Sequence, residues 1–393
     1  MVSVEEALQL VEEKVKVLGN ETLPIAQCLN RVLAMDVFSK IDIPSFPQSA
    51  MDGYAVHAMG NIEAGDSFTL IGEVQAGDTK EMDLEPGQAV RIFTGAAVPI
   101  QATTVIMQEI VTVTDNKITI DKHVTEGANI RERGEQIMSG DTGLQAGTKL
   151  TPSGIGFLAM MGYSHIKVTQ LPIISVVVTG NELVPPGEAL NYGEIYESNS
   201  VTLVSALEQY GYNVANVIFV KDTYEETFFK LQSIVSESDV VITSGGISVG
   251  DYDFVGRAFR DLEVEEHFYK VKQKPGKPLF FATKDETVIF ALPGNPASAL
   301  TSLYYYILPA LSQMSGKGFE GLKSLLLPLL GGYSKKGDRS QFLKGFITHE
   351  GVELLDGQSS AMMHTYAVSN ALVYLPGNVN EILDGEMVRV LLL

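Results

Sequence analysis

The chain has 393 residues, of which 45% are hydrophobic, and a formal net charge of −20. This length predicts several domains with buried cores, and the excess of acid argues against non-specific binding to a nucleic-acid backbone or an anionic membrane. A single cysteine, Cys28, excludes an internal disulfide framework and fits a reducing compartment. No apolar run reaches membrane-spanning length, and the first residues lack the basic-then-apolar pattern of a secretion signal. We therefore expect a soluble, cytoplasmic protein.

The first 170 residues combine helical and β patterns. Apolar residues recur at helical spacing over 4–18, with glutamates on the opposite face and Gly19 as the stop. The pattern changes to β from 68 to about 123, where Asp115-Asn116 predicts a hairpin. A helix follows over 153–161, with Ser153 as its cap. We predict a helical and linker domain, 1–48 plus 136–170, that contains an inserted β domain, 49–135.

Strands and helices alternate from 171 to 317, a pattern typical of a parallel sheet with helices on both faces. Strands are predicted over 173–178, 214–220, 240–243 and 288–292. The third strand ends at a Ser-Gly-Gly turn, 244–246, where adjacent glycines let a ligand approach the backbone closely. The fourth leads into Pro-Gly-Asn-Pro, 293–296, which predicts the start of a helix. This segment should form a central, open α/β domain.

Three acidic residues stand just past predicted strands of this domain: Glu182, Asp222 and Asp253. The carboxyl ends of parallel strands lie along one edge, where three carboxylates repel one another unless a cation lies among them. Mg²⁺ prefers such oxygen ligands and commonly bridges to substrate phosphates. An ordinary helix cap is the alternative, above all for Asp253. Because the three acids occupy equivalent positions, we favour a metal site.

Lysines cluster close to these acids in the sequence, although the chain as a whole is acidic. The stretch KVKQKPGKP holds Lys270, Lys274 and Lys277 around a Pro-Gly turn that ends at Pro278. Lysines in such a turn can bind phosphate or another oxyanion. The alternative is a hairpin turn whose lysines are incidental.

The last segment, 318–393, has short strands separated by glycine turns, which predicts a small β-barrel. Arg339 lies in a Gly-Asp-Arg-Ser turn, and Ser360 lies in a loop before 362–366. On their own, both residues would be interpreted as parts of surface loops.

Six short motifs follow one another along the chain: SAMDGYAV at 49–56, RIFTGA at 91–96, TGNE at 179–182, SGGISVG at 244–250, KPGKP at 274–278 and LPGNP at 292–296. Together, and in this order, they resemble the molybdopterin molybdenumtransferases, the MoeA and gephyrin E-domain family. The resemblance covers essentially the whole chain. It implies four domains per chain and a central α/β domain of the molybdopterin-binding type.

The same resemblance implies a function in molybdenum cofactor biosynthesis. Family members insert molybdate into adenylylated molybdopterin in a Mg²⁺-dependent reaction that releases AMP. The resemblance also implies a homodimer with clefts shared between chains, and handover of substrate from the molybdopterin adenylyltransferase. The pterin dithiolene would supply soft sulfur ligands for molybdenum, so the protein needs no cysteine of its own for this.

The family's motifs assign roles to residues of this chain. The resemblance implies catalytic positions at Asp52, Glu182, Asp222, Asp253, Lys270 and Lys274, and metal ligands at Glu182, Asp222 and Asp253. It implies substrate-binding positions at Thr94, Ser244, Gly245, Gly246, Lys277, Pro278, Pro293, Pro296, Ser298, Arg339 and Ser360. Among these, Lys277, Pro278 and Ser298 correspond to the oxyanion region, and Asp52 and Thr94 correspond to positions that the partner chain brings to the cleft.

The chain departs from the family pattern at three places. Gly-Glu-Gln at 134–136 stands where the family usually has Gly-x-Asp, so a functional carboxylate is missing unless Glu135 substitutes for it. Residues 358–361 differ from the usual Gln-Gly-Ser-His, and Asn30 stands where glycine is usual. Gln136 motivates one alternative function, a non-catalytic molybdopterin-binding or scaffold protein. A nucleotide pyrophosphatase is a second alternative, which leaves the β insertion and the barrel unexplained.

Overall fold

The computed structural model describes residues 1–79, 81–247 and 254–393. The chain divides into two compact units. The first is formed by Met1–Glu21, Asn30–Val32 and Val168–Leu393, and the second by Thr22–Leu29 and Leu33–Lys167. Within the described residues, no helix combines the length and the apolar character that crossing a membrane requires.

The helices of the described residues are α1 (Val4–Lys14), α2 (Pro152–Met160), α3 (Asn199–Gln209), α4 (Tyr224–Glu237), α5 (Phe254–Asp261), α6 (Pro296–Ser302), α7 (Leu308–Met314) and α8 (Met363–Ala367). A π-helical turn, Leu303–Ile307, joins α6 to α7.

Two helix boundaries differ from the sequence prediction. The first helix ends at Lys14 and does not continue to residue 18, because the backbone of Val15 is already extended, with φ −85° and ψ 131°. The second helix is capped by Thr151 and not by Ser153, since the Thr151 hydroxyl accepts the N–H of Gly154 at 3.2 Å. A proline at the first helical position, Pro152, favours this earlier start.

The strands up to residue 169 are β1 (Asn20–Pro24), β2 (Val37–Phe38), β3 (Gln48–Ser49), β4 (Gly53–Val56), β5 (Ser67–Val74), β6 (Gln88–Ile92), β7 (Thr104–Met107), β8 (Val111–Thr114), β9 (Lys117–Ile120), β10 (Ile130–Arg131), β11 (Thr142–Leu144) and β12 (His165–Thr169). A mixed sheet in the order β7-β4-β6-β5-β9-β8 forms the inserted β structure. The predicted hairpin is confirmed: β8 and β9 pair antiparallel across a turn in which Asp115 has φ 49°.

The strands of the α/β region are β13 (Ile174–Thr179), β14 (Leu183–Val184), β15 (Ile195–Tyr196), β16 (Val214–Val220), β17 (Val240–Ser244), β18 (Glu265–Lys270), β19 (Gln273–Lys274), β20 (Pro278–Lys284) and β21 (Thr287–Leu292). Its sheet has the order β16-β13-β17-β21-β20-β18. The first four strands in this order are parallel, and β20 and β18 run antiparallel to their neighbours.

Both faces of the strands β13, β17 and β21 are buried, as their largely apolar sequences predict. Along β13, Val176 and Val178 join one hydrophobic core, which includes residues of α1, α3, α6 and α7. Val177 joins a second core on the opposite face, with residues of α4 and α5. Each fully buried valine side chain contributes roughly 1.5–3 kcal/mol of hydrophobic free energy. These two layers of helices hold the carboxyl ends of the parallel strands in register.

The C-terminal strands are β22 (Ser324–Leu330), β23 (Tyr333–Ser334), β24 (Ser340–Ile347), β25 (Val352–Leu354), β26 (Ala371–Leu375), β27 (Glu381–Ile382) and β28 (Met387–Leu392). The order β24-β25-β22-β28-β26 closes into a barrel because β26 also pairs with β24. The predicted β-barrel is therefore confirmed, together with the α/β domain and the inserted β structure.

Candidate active site

The carboxyl ends of β13, β16, β17 and β21 lie along one edge of the α/β sheet, because these strands are parallel. The strand ends and loops at this edge carry several of the predicted site residues of the first unit. Glu182 follows β13, Asp222 follows β16, the Ser-Gly-Gly turn follows β17, and 293–296 follows β21.

Two of the predicted acids are brought together at this edge. The side-chain oxygen Oδ1 of Asn181, next to Glu182, accepts the N–H of Asp222 at 3.1 Å, which ties the two loops to each other. Burial of the carboxyl group, and then repulsion by the Glu182 carboxylate, raise the pKa of Asp222. A bound cation would relieve this repulsion.

The Ser-Gly-Gly turn is held close to its neighbours. Gly245 has φ 91°, and a Cβ at this position would lie 2.5 Å from the backbone oxygen of Thr179. A side chain there would collide with backbone, so glycine is required. The amide Nδ2 of Asn199 donates to Ser244 Oγ and to the carbonyl of Gly294, each at 2.8 Å. Asn199 therefore joins the loops that follow β17 and β21.

Buried polar groups hold the backbone of the predicted lysine turn. Lys274 and Lys277 are exposed, whereas Gln273 between β18 and the turn is fully buried. The amide Nε2 of Gln273 donates to the carbonyl of Gly276 at 3.1 Å, and its Oε1 accepts the hydroxyl of Tyr306 at 2.5 Å. The lysine side chains thus project from a backbone that buried hydrogen bonds hold in place.

Helix α6 lies against the same turn. A Cβ added to Gly276 would lie 3.5 Å from the carbonyl oxygen of Ser298 and 3.3 Å from the hydroxyl of Ser302. Ser298 is buried in the first turn of α6, where its N–H donates to Asn295 at 3.0 Å. The predicted oxyanion region and the helix start at Pro296 are therefore adjacent.

The predicted residues Lys270 and Pro278 lie opposite each other. They are register partners in the antiparallel pair of β18 and β20. Lys270 therefore flanks the lysine turn, and its partly buried side chain extends beside the aromatic ring of Tyr269, with Nζ 5.9 Å from the ring centroid.

The turn that carries Arg339 also meets the lysine segment. Strand β19 pairs in parallel with β24, so that Gln273 is the register partner of Ser340. The N–H of Ser340 donates to the carbonyl of Lys272 at 3.0 Å. Lys272 also forms an ion pair with Asp338, with Nζ 2.6 Å from Oδ2. The exposed Arg339 side chain therefore starts from a backbone that is bonded to the lysine segment.

Asp52 and Thr94 form a pair within the second unit. Asp52 Oδ1 accepts both the N–H and the hydroxyl of Thr94, each at 2.8 Å. Both hydrogen bonds lower the pKa of Asp52, the one from the backbone N–H most strongly, and the nearby positive charge of Arg91 lowers it as well. Asp52 is therefore an ionised carboxylate at neutral pH.

Comparison with known proteins agrees with this architecture. The MoeA N-terminal region (domain I and II) matches residues 2–162, a probable molybdopterin binding domain matches 175–313, and the MoeA C-terminal region (domain IV) matches 327–393. A molybdopterin molybdenumtransferase of Haemophilus influenzae is 33% identical over 386 residues, covering 94% of this chain and 93% of the relative.

The chain belongs to the molybdopterin molybdenumtransferase family. A family member from Staphylococcus epidermidis is 29% identical and covers 100% of this chain and 95% of the relative. The solved structure of the MoeA protein from Pyrococcus horikoshii OT3 is 26% identical, with a TM-score of 0.83 and 100% of each chain covered. The resemblance drawn from the six motifs is thus confirmed, as is membership of an enzyme family of molybdenum cofactor biosynthesis.

Some site predictions for this molybdenumtransferase family member lie beyond the described residues. Asp253 falls outside them, so the three-carboxylate site is represented by Glu182 and Asp222. Within the described ranges, His, Cys, Asp and Glu side chains form no group of three that could hold a metal ion. Glu135, the candidate substitute for the missing carboxylate, accepts the N–H of Glu132 at 3.1 Å in its own turn.

Sequence reasoning missed the residues that support the site. It gave no role to Asn199, Gln273 or Tyr306. The signal for Asn199 is an amide side chain within a short polar stretch, Glu-Ser-Asn-Ser, that precedes an apolar helix. The contact between Gln273 and Tyr306 has no comparable local signal.

Proposed function

We propose that this protein catalyses the Mg²⁺-dependent insertion of molybdate into adenylylated molybdopterin, with release of AMP. The observation that carries the proposal is that two unlike charged groups lie on or against elements that leave the same sheet edge. A mutually repelling pair of carboxylates follows β13 and β16, and an exposed lysine turn lies against helix α6, which follows β21. One group is suited to a cation and the other to an oxyanion.

The carboxylates have the donor chemistry that Mg²⁺ prefers. Mg²⁺ is commonly bound by one or two carboxylates together with substrate phosphates, and it keeps several waters. Glu182 is exposed, and the pKa of Asp222 is raised by burial and by Glu182, so a cation between them would offset the repulsion. In the proposal Glu182, Asp222 and Asp253 hold the ion. When bound, Mg²⁺ offsets negative charge on the phosphates of the nucleotide.

The lysine turn is proposed to hold molybdate. Lys274 and Lys277 project from one turn, so their ammonium groups can converge on a tetrahedral oxyanion. Pro278 and Ser298 border this turn, and Lys270 is opposite Pro278. These fixed positive charges would also stabilise charge that develops on the phosphate during cleavage.

The remaining proposed contacts position the pterin nucleotide. In the proposal the backbone of the Ser244-Gly245-Gly246 turn contacts the ligand, and Pro293 and Pro296 stiffen the neighbouring loop. Arg339 and Ser360 contribute from the barrel. Because the pterin dithiolene supplies the sulfur ligands of molybdenum, the proposal requires no thiolate from the protein. The single cysteine fits a reducing compartment, so we place the reaction in the cytoplasm, with substrate handed over by the molybdopterin adenylyltransferase.

Assembly as a homodimer with shared clefts is part of the proposal. The ionised Asp52 is hydrogen-bonded to Thr94, and in the proposal both residues reach into the partner's cleft, as the family resemblance implies. The edge strand β16 also presents Val217 and Phe219 to solvent, with 41% and 57% of their surface exposed. Apolar exposure on a strand that has no outer neighbour among the described residues supports an assembly with another chain.

Mixed dimers test the shared clefts. An Asp253→Asn chain paired with an Asp52→Asn chain should form a heterodimer with one intact cleft. Its activity should be about half of that of the unaltered dimer, which has two such clefts. Verified, stable heterodimers that stay as inactive as either parent would count against shared clefts.

The proposed reaction is tested by incubating the protein with adenylylated molybdopterin, Mg²⁺ and molybdate. AMP release and molybdenum incorporation are followed together, and both should stop when Mg²⁺ is chelated. Tight binding without either product would support the scaffold alternative. AMP release without incorporation would support the pyrophosphatase alternative.

A further inference from the structure

Two lysines of the barrel region are almost completely buried. Lys335 and Lys344 have only 5% and 3% of their surface exposed. Lysine is rarely buried to this degree, because removing an ammonium group from water is costly unless it is well bonded. In both cases the hydrogen-bond acceptors are backbone carbonyls of loops.

Lys344 holds the loop that carries Ser360. Its Nζ donates to the carbonyls of Gly357, Ser359 and Met362 at 2.9, 3.1 and 3.3 Å. An ammonium group has three hydrogens, so each has an acceptor in this loop. The loop is therefore closed around a charge that projects from strand β24.

The contacts between strand and loop are reciprocal. Gln358 Oε1 accepts the N–H of Lys344 at 2.9 Å, and Gln358 Nε2 donates to the Lys344 carbonyl at 2.8 Å. Nε2 also donates to the carbonyl of Leu355 at 2.6 Å. The Lys344 side chain of the strand thus bonds the loop backbone, and the Gln358 side chain of the loop bonds the strand backbone.

The same loop is connected to the helix that contains Ser298. Lys344 Nζ lies 5.7 Å from the ring centroid of Tyr366, and the hydroxyl of Tyr366 lies 2.5 Å from Thr301 Oγ1 in α6. Thr301 donates its own hydrogen to Ala297 at 2.7 Å, so Tyr366 is the donor to Thr301. Tyr366 therefore links the Ser360 loop, through Lys344, to helix α6.

Lys335 acts on the turn that carries Arg339. Its Nζ donates to the carbonyl of Arg339 itself at 3.0 Å, and to those of Pro376 and Gly377 at 2.7 and 2.9 Å. The next residue, Ser340, bonds to the lysine segment through Lys272. The backbone from which the Arg339 side chain extends is thus held on both sides.

We propose that Lys335 and Lys344 are positioning residues for the pterin nucleotide, because their buried ammonium groups fix the loops that present Arg339 and Ser360. This inference rests on the proposed function, in which Arg339 and Ser360 contact that substrate. A loop fixed before binding loses less conformational freedom on binding, which strengthens affinity. The effect should therefore appear in binding of the pterin and not in binding of molybdate.

Replacement of each lysine by methionine keeps most of the side-chain volume and removes the charge and the donors. In Lys344→Met, amide exchange over 355–362 should become faster, and the Kd for molybdopterin should rise about tenfold. The Kd for molybdate should stay within about twofold, because Gln273 and Tyr306 hold the lysine turn independently. Lys335→Met should change exchange over 336–339 in the same way. Lys336→Met, at the exposed neighbouring lysine, is the matched control and should change neither quantity.

A double-mutant cycle separates positioning from general destabilisation. If Lys344 acts through Ser360, the double variant Lys344→Met/Ser360→Ala should have about the same Kd for molybdopterin as whichever single variant binds it more weakly. If Lys344→Met does not fold, Thr365→Val loosens the same loop more mildly, since the Thr365 hydroxyl lies 3.1 Å from the carbonyl oxygens of Asp356 and Gly357. The same cycle is then measured with Thr365→Val.

Three results would overturn the inference, and they show whether the proposed function falls with it. Weak binding by Ser360→Ala together with undiminished binding by Lys344→Met, or fully additive losses, would overturn the positioning role alone. Undiminished binding by both Ser360→Ala and Arg339→Ala would overturn it together with the assignment of these residues in the proposed function.

Discussion

Replacing Asp222 by asparagine should stabilise the metal-free protein and weaken its response to Mg²⁺. The variant keeps the side-chain size and leaves the N–H that donates to Asn181 at 3.1 Å. Burial and Glu182 raise the folded-state pKa of Asp222. Its contribution to stability is therefore fully present below the unfolded pKa and is lost as the pH rises through the folded pKa. Near neutral pH the ionised carboxylate destabilises the fold, and asparagine removes that charge.

The expected gain in the free energy of unfolding is small. With Mg²⁺ bound, the variant should instead be less stable than the unaltered protein. A partly exposed like-charge pair costs about 0.2–0.5 kcal/mol, which corresponds to a rise in Tm of at most about 2 °C. Mg²⁺ at roughly 100 times its Kd stabilises a protein that binds it by about 2.7 kcal/mol. A neutral amide is a poorer ligand for this ion, so Asp222→Asn should gain less than about half of that. Turnover should fall on the order of 10²-fold.

Thermal unfolding in EDTA and in a Mg²⁺ series measures both effects. Asp239→Asn is the matched control, because Asp239 directly precedes β17, at the amino ends of the parallel strands, and accepts the N–H of Ile173 at 2.7 Å, a bond that asparagine can keep. The control should respond to Mg²⁺ as the unaltered protein does. The reasoning is refuted if Asp222→Asn is less stable in EDTA and still gains the full stabilisation from Mg²⁺.

Three other substitutions test separate parts of the site. Lys277→Ala should weaken molybdate binding about tenfold or more in titrations and leave pterin-nucleotide binding nearly unchanged, with Lys284→Ala as the control; equal losses of both would contradict the oxyanion assignment. Tyr306→Phe leaves the buried amide oxygen of Gln273 without its donor, so denaturant unfolding should show a loss of about 1–3 kcal/mol together with weaker molybdate binding. Molybdate binding at full strength in that variant would mean that the turn does not depend on this bond. Asp253→Asn should keep a folded protein but slow AMP release on the order of 10²-fold, and full activity at low Mg²⁺ would leave Asp253 as a helix cap.

The sequence was sufficient for the four parallel strands of the α/β sheet and for the edge at which they end, but it did not predict the antiparallel strands β18 and β20. Runs such as 174–179 are rich in apolar, β-branched residues, and such runs form strands that are buried on both faces. Parallel strands then bring Glu182 and Asp222 to one edge without further information. Helix ends were less predictable, as Val15 and Thr151 illustrate, because neighbouring residues offer nearly equivalent stops and caps.

The supporting hydrogen bonds could not be predicted in this way. Gln273 and Tyr306 are 33 positions apart, and Asn199 and Ser244 are 45 apart. Each pair meets only after the sheet has formed, and its residues have no distinctive local spacing. The buried ammonium of Lys344 is similarly hidden, since a lysine in a strand normally indicates a solvent-facing position.

The pairing of β19 with β24 bears on how this protein could change during evolution. Gln273 and Lys274 belong to the α/β region by sequence, yet they are hydrogen-bonded as an outer strand of the barrel sheet. A recombination event that exchanged the C-terminal barrel for an unrelated one would also remove the partner strand of the lysine turn. We therefore expect the barrel and the lysine turn to be inherited together, with compensating substitutions at the β19–β24 pair.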